Sequence, residues 1–278
     1  MQEELLGVAR EAAAAAAEVH RNHAGGVGVE RWDEKGVADF VTDVDREAEA
    51  RIVACIRRSF PDHAILAEEA ASAPGAPDAA AVGAEYLWVV DPLDGTTNFL
   101  HGYPMYAVSI AVVQSGEPVA AVVCGTATDE MWYASAGGGA FHQGQQIRVS
   151  TIDTLPRALI GTGFPFKVLE RMDEYTTQFR RVLERTAGVR RAGAASLDLC
   201  HVASGYFDGF WELSLAPWDF AAGALIVREA GGVVSRMGGR PLDACRGGSV
   251  LAGNPAIHAA LGALLESAAP STAEVAHG

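Results

Sequence analysis

Apolar positions along the first half of the chain recur at two different spacings. Residues 3–24 are alanine-rich, with Leu5, Leu6, Val8, Ala9 and a run from Ala12 to Ala17, and read as a helix that Gly25-Gly26 ends. Residues 27–41 read as a hairpin or a pair of loops. Val44, Ala48, Ile52, Cys55 and Ile56 fall at helical spacing, so a second helix runs from Thr42 or Asp43 to about Ser59, with Pro61 beyond it. Ile65-Leu66-Ala67 is a short strand that ends in Glu68-Glu69. The stretch from Ala71 to Gly83, with Pro74, Gly75 and Pro77, is a loop. Leu87 to Val90 are consecutive apolar residues, the pattern of a buried strand. Pro92 has no N–H to donate and is expected to stop that strand. Strands at 105–114 and 118–125 follow across the turn Ser115-Gly116-Glu117. Met131 to Ala134 is another strand, and Gly137-Gly138-Gly139 turns into the next.

The second half alternates. Ala158 to Gly161 reads as a strand, and residues 168–187 as a helix with Met172, Tyr175, Phe179 and Val182 on one face. A helix at 195–204, a strand at 207–213, a helix at 218–230 and a strand at 232–235 complete the pattern. This predicts an α+β subdomain over residues 1–150 and an α/β subdomain over 151–267. The polar tail, 268–278, is expected to be disordered.

Bulk composition narrows the classes. With 278 residues and 49% hydrophobic content, a substantial core is available. A formal net charge of −14 argues against a nucleic-acid surface. No apolar run is long enough to span a membrane, and Met1-Gln-Glu-Glu lacks the basic start of a signal peptide. Cys55, Cys124, Cys200 and Cys245 are widely spaced, as expected of free thiols in a reducing cytosol.

Four acidic motifs stand out. Asp39-Phe-Val-Thr42-Asp43-Val-Asp45 can cap the following helix or present Asp45 from its first turn. Glu68-Glu69 is ordinary solvated surface or a pair of ligands at a strand exit. Asp91-Pro-Leu-Asp94-Gly95-Thr96-Thr97 is the most specific, because two acids at the edge of a core would be costly without a cation. Gly95 and Thr96 then offer backbone N–H groups at a helix start, where anions bind. Trp218-Asp219, continuing to Glu229-Ala-Gly-Gly, offers Asp219 as an N-cap or a ligand and Glu229 as a helix-end residue. The histidines have no ligand spacing, and no Gly-x-Ser-x-Gly pattern marks a nucleophile. Asp45, Glu68, Asp91, Asp94 and Asp219 are an all-oxygen set, which selects Mg²⁺ or Mn²⁺ over zinc. Carboxylates beside an anion cradle point to phosphate chemistry at a two-metal site.

These motifs, together with Gly193-Ala-Ala-Ser-Leu-Asp-Leu-Cys-His-Val-Ala-Ser-Gly205 and Asp208-Gly-Phe-Trp-Glu212, resemble the inositol monophosphatase family, in particular its bacterial branch. The resemblance covers about residues 5–265. It implies an α/β/α/β/α sandwich, a homodimer, a cytoplasmic setting and a lithium-sensitive phosphatase that uses metal-activated water. The substrate class implied is a polyol or sugar phosphate, myo-inositol 1-phosphate first. Fructose 1,6-bisphosphate, 3′-phosphoadenosine, histidinol-phosphate and NADP phosphatases are other branches of the same fold. A non-catalytic binding protein on this fold would have lost a ligand, and Glu68, Asp91, Asp94 and Asp219 are all present. By resemblance, Glu68, Asp91 and the Leu93 carbonyl hold one Mg²⁺, and Asp91, Asp94 and Asp219 a second. A third ion would use Glu68, near the loop carrying Lys35. Thr96, bonded to Asp45, orients or deprotonates water, while the Gly95 and Thr96 N–H groups bind phosphate. Gly193, Ala194, Ala195, Glu212 and Asp219 meet the polyol. Ala67 departs from the family's usual glycine before Glu-Glu, and the 71–83 loop is longer and poorer in charge than usual.

Overall fold

Eight helices and fourteen strands alternate along the described residues of the computed structural model, which are 1–23, 33–36, 39–41, 43–72 and 83–266. The order is α1 (Gln2–Asn22), β1 (Asp33–Gly36), β2 (Asp39–Val41), α2 (Asp43–Ser59), β3 (Ala64–Ala67), α3 (Glu68–Ser72), β4 (Tyr86–Asp94) and α4 (Thr96–Leu100). Next come β5 (Ala107–Gln114), β6 (Glu117–Gly125), β7 (Glu130–Ser135), β8 (Gly139–His142) and β9 (Gln145–Gln146). The second half holds β10 (Leu159–Thr162), α5 (Met172–Arg185), β11 (Gly188–Arg190), α6 (Ala195–Ala203), β12 (Gly209–Leu215), α7 (Pro217–Glu229), β13 (Val233–Ser235), β14 (Gly248–Gly253) and α8 (Pro255–Glu266). The expected stop at Gly25-Gly26, the cap Thr42, most of the loop from Ala71 to Gly83 and the tail 268–278 lie outside the described residues, as do the side chains of Lys35 and Asp39.

β3 to β9 form a seven-stranded sheet in sequence order, and β11-β10-β12-β14-β13 a five-stranded one. The central strands β4, β5 and β6 are buried on both faces, which is why they read as continuous apolar runs rather than alternating ones. On one face, Trp88, Val90, Ile110 and Val122 pack against Leu5, Ala12 and Ala16 of α1 and Ile52 and Ile56 of α2. On the other, Leu87, Val89, Ala111 and Val123 pack against Leu197 and Leu199 of α6 and Phe220 and Val227 of α7. The same cluster continues into Phe210 and Ala252 of the small sheet, so α6 and α7 lie between the two sheets. Ile160, Trp211 and Leu251 on the far face meet Tyr175 and Val182 of α5 and Ile257 and Leu261 of α8. The layers are α/β/α/β/α.

Residues 236–267, where the sequence pattern predicts no element, hold β14 and α8. α8 is apolar nearly all round, with Gly262 in its middle, so it carries no polar stripe to reveal a period. Glu229 does end α7, and its carboxylate accepts the Gly137 and Gly139 N–H groups, both at 2.8 Å, which fastens the β7–β8 turn to the middle layer. Among the described residues no helix is long and apolar enough to cross a membrane.

Candidate active site

Pro92 does not stop its strand. β4 runs on to Asp94 through an irregularity in its ladder with β5, where Asp91 pairs with Ser109 and Asp94 with Ala107. Pro92 and Leu93 together stand opposite one β5 position, a bulge that tolerates the missing N–H. The extra residue has a chemical consequence. In a regular strand residues three apart face opposite sides. Here the β5 partners are two apart, so Asp91 and Asp94 share one face, the face toward the middle helices. Asp91 Oδ1 accepts the Leu93 N–H at 2.9 Å, and the Leu93 carbonyl accepts the Thr96 hydroxyl at 3.1 Å.

Three helices begin at the same place. Gly95 precedes α4 with φ +88°, and a Cβ there would stand 2.8 Å from the Met105 carbonyl oxygen, so only glycine fits. The α4 N-terminus leaves its first N–H groups without intrahelical acceptors. At the start of α6, Ser196 donates both its N–H (2.8 Å) and its hydroxyl (2.5 Å) to Asp94 Oδ2. At the start of α7, Asp219 Oδ2 accepts the Ala216 N–H at 2.7 Å. Asp219 therefore satisfies the helix end from the third helical position and is not its N-cap. Asp45, in the first turn of α2 and buried, lies 3.2 Å by its Oδ1 from the Thr96 hydroxyl. Glu68-Glu69 open α3 as well as ending β3, and Glu49 of α2 caps α3 by accepting the Glu69 and Ala70 N–H groups.

A cavity of about 320 Å³ opens at this junction. Glu68, Asp91, Leu93, Asp94 and Asp219 line it, as do Gly95 and Thr96, and Gly193, Ala194, Ala195 and Glu212. Asp45 reaches it through Thr96. Burial raises the acids, and they raise one another. Asp91 is pushed well up by desolvation, then by Glu68, Asp94 and Asp219. Asp219 is pushed up to about 8 by burial, Asp94 and Glu68. Asp94 rises only to about 6, because its Ser196 hydrogen bonds offset part of the burial.

The donor set fits an oxygen-ligated divalent cation. Asp91, Asp94 and Asp219 each have one oxygen tied by a backbone N–H and keep a second for another partner. Glu68 and Asp91 lie within hydrogen-bonding reach of each other, and two carboxylates so close need a positive charge between them. Among the described residues, no three acids, histidines or cysteines stand ready-made around one point.

The other end of the cavity joins Gly193 and Glu212 of the motifs to Phe164, Phe166, Lys167, Arg191 and Asp198, to which the motifs assign no role. Gly193 has φ +95°, and a Cβ there would meet Asn98 Nδ2 at 3.0 Å. Asn98 staples this loop by donating to the Met105 and Ala192 carbonyls. The Arg191 guanidinium stacks over Phe164 and Phe166, 5.1 and 5.3 Å from the ring centroids. Lys167 also lines the cavity, and its charge opposes the rise at Asp219. Glu212 is half-buried, with its carboxylate laid against the Gly163 Cα so closely that any side chain at 163 would collide with it. Asp198 of α6 lines the cavity too, only 2% exposed. A lone acid flanked by Leu197 on one side and Leu199 and Cys200 on the other is the sequence signal that could have marked it.

Comparison with known proteins gives the same reading. The profile of the Inositol monophosphatase family matches residues 1–269. The chain is 47% identical over 252 residues to the Nus factor SuhB of Pseudomonas aeruginosa, covering 90% of this chain and 91% of that one. It is 45% identical over 239 residues to the inositol-1-monophosphatase of Rhizobium meliloti, covering 85% and 86%. The solved inositol monophosphatase of Anabaena superposes with a TM-score of 0.84 at 38% identity, covering 98% of this chain and 99% of that one. A layered sandwich, a bulge that turns two aspartates to one face and this likeness along nearly the whole chain place the protein in the inositol monophosphatase family.

Proposed function

We propose that the protein is a Mg²⁺-dependent phosphomonoesterase that hydrolyses myo-inositol 1-phosphate or a related polyol or sugar phosphate. The observation that carries this reading is the meeting of Glu68, Asp91, Asp94 and Asp219 with the α4 N-terminus on one cavity. Glu68, Asp91, the Leu93 carbonyl, Asp94 and Asp219 would hold two or three ions, with Mn²⁺ as a substitute. Bound there, such ions acidify water and neutralise phosphate oxygens.

The chain's own groups do the positioning and move the proton. The Gly95 and Thr96 N–H groups orient the phosphate at the helix start. The Thr96 hydroxyl, between Asp45 and the Leu93 carbonyl, takes a proton from the attacking water while its own passes toward Asp45 Oδ1. Gly193, Ala194 and Ala195 leave room for the polyol, and Glu212 accepts from its hydroxyls. A cytoplasmic homodimer is the setting this reading expects.

Phosphate release tests it. The substrates are myo-inositol 1-phosphate, fructose 1,6-bisphosphate, 3′-phosphoadenosine 5′-phosphate, histidinol phosphate and NADP, each with and without Mg²⁺. Mg²⁺-dependent release, greatest on inositol 1-phosphate and inhibited by millimolar lithium, is the expected result. Release greatest on another of these esters moves the protein to that branch of the family. A second reading, as a Nus factor, is favoured by the name of the Pseudomonas aeruginosa relative. No release from any ester would leave that reading alone.

A further inference from the structure

α6 lies with α7 in the middle layer of the sandwich. Leu197, Leu199, Cys200, Val202 and Ala203 are all packed in the core that joins the two sheets. Position 198 interrupts that series with a carboxylate that is 2% exposed and lines the cavity. Its Oδ1 has no hydrogen-bond partner among the described residues. Its charged surroundings are Asp94 and Glu212, which repel it, and Arg191, which attracts it. A buried acceptor with no donor is costly to a fold, so its persistence calls for a donor from outside the chain. Glu212, half-buried and laid against Gly163 on β12's side of the cavity, presents a second carboxylate. Two carboxylates close enough to repel each other, with a guanidinium attracting both, suit a neutral molecule that carries several hydroxyl donors. They are poorly suited to a second anion.

We propose that Asp198 is a specificity-determining residue: its carboxylate accepts a hydrogen bond from one hydroxyl of the polyol, next to the hydroxyl that Glu212 accepts. The inference rests on the phosphatase reading for its substrate, but hydroxyl recognition is measurable without turnover. A site built to bond a hydroxyl rejects the analogue that lacks it, because its own group is then left unpaired.

The experiment uses the full chain, wild type, Asp198→Ala and Asp198→Asn. Binding of myo-inositol and of cyclohexanol is followed by NMR titration. Hydrolysis of myo-inositol 1-phosphate and of cyclohexyl phosphate is followed in Mg²⁺. The alanine variant is expected to fold, because it removes a buried carboxyl group that lacks a partner on one oxygen. It should bind myo-inositol and turn over its phosphate roughly ten- to a hundredfold less well, with cyclohexyl phosphate unchanged. Asparagine keeps one acceptor oxygen and should restore much of the loss. Equal losses on both esters, or no loss of myo-inositol binding, would overturn the proposal. If wild type binds myo-inositol through Asp198 and hydrolyses no ester, the subsite stands and the phosphatase reading fails. If wild type neither binds myo-inositol nor hydrolyses its phosphate, both fail.

Discussion

Thr96 shows how much a single side chain can be asked to do. Its hydroxyl lies 3.2 Å from a buried carboxylate and 3.1 Å from the Leu93 carbonyl, so its proton has two competing acceptors, and the residue lines the cavity. The proton transfer proposed for it belongs to the transition state, not to substrate binding. Thr96→Ala should therefore lower kcat by about a hundredfold or more while KM changes little, the magnitude typical of proton-transfer groups. A rise in KM at constant kcat would contradict it. The cavity's acids were legible in the sequence because Glu68, Asp94 and Asp219 lie at a strand end or in a helix's first turn and Asp91 directly follows an apolar run, where an acid is conspicuous. Asp198 was not, because an acid in a helix's first turn looks like an ordinary response to the helix dipole. Arg191 and Phe164 were hidden for a different reason: loop residues meet only when the fold is built.

At the scale of elements, the instructive difference is Pro92. Its missing N–H was expected to end β4, and the chain uses it at a bulge instead, which is what turns Asp94 to the side of Asp91. Sequence spacing names the two acids but cannot give their common face. α4 depends on Gly95 for two reasons, a left-handed φ and a 2.8 Å approach to a carbonyl oxygen. Gly95→Ala should cost roughly 1–3 kcal/mol of stability and displace the turn proposed to bind phosphate. An unchanged melting temperature and unchanged turnover would contradict that. α1 contributes a buried histidine. His20 Nδ1 lies 3.2 Å from Thr126 Oγ1, its ring packs near Phe99 and Tyr106, and burial lowers its pKa from 6.5 to about 4. The folded state thus holds His20 neutral where the unfolded chain would take up a proton. Its contribution is fully present above pH 6.5 and is lost as pH falls toward 4, on the order of 3 kcal/mol. Melting curves between pH 7 and pH 4.5 should be less steep in pH for His20→Gln than for wild type, and equal slopes would sink the assignment.

The whole molecule explains why the site lies where it does. The large sheet lies within the first of the two halves that the sequence pattern suggests, and the small sheet within the second. A single apolar cluster runs through α6 and α7 and joins them. The cavity sits where that middle layer meets β3 and β4, so its acids come from both halves. The layering was legible from the alternation of apolar patterns, whereas β14 and α8 were not, because uniformly apolar segments carry no period. Mutual repulsion among the acids is a stored cost that a divalent ion relieves, so millimolar Mg²⁺ should raise the melting temperature of the protein by a few degrees. Asp219→Asn should shrink that shift, and a shift of full size in the variant would place the ion elsewhere.

The central claim is that Asp91, shared between the bulge and its acidic neighbours, organises a metal-dependent phosphatase site. Its most direct test is phosphate release from myo-inositol 1-phosphate by wild type and Asp91→Asn, at saturating Mg²⁺ and with chelator. Wild type should release phosphate only with Mg²⁺, and the folded Asp91→Asn protein should release none. Undiminished turnover by Asp91→Asn, or wild-type turnover that chelator leaves intact, would contradict the account.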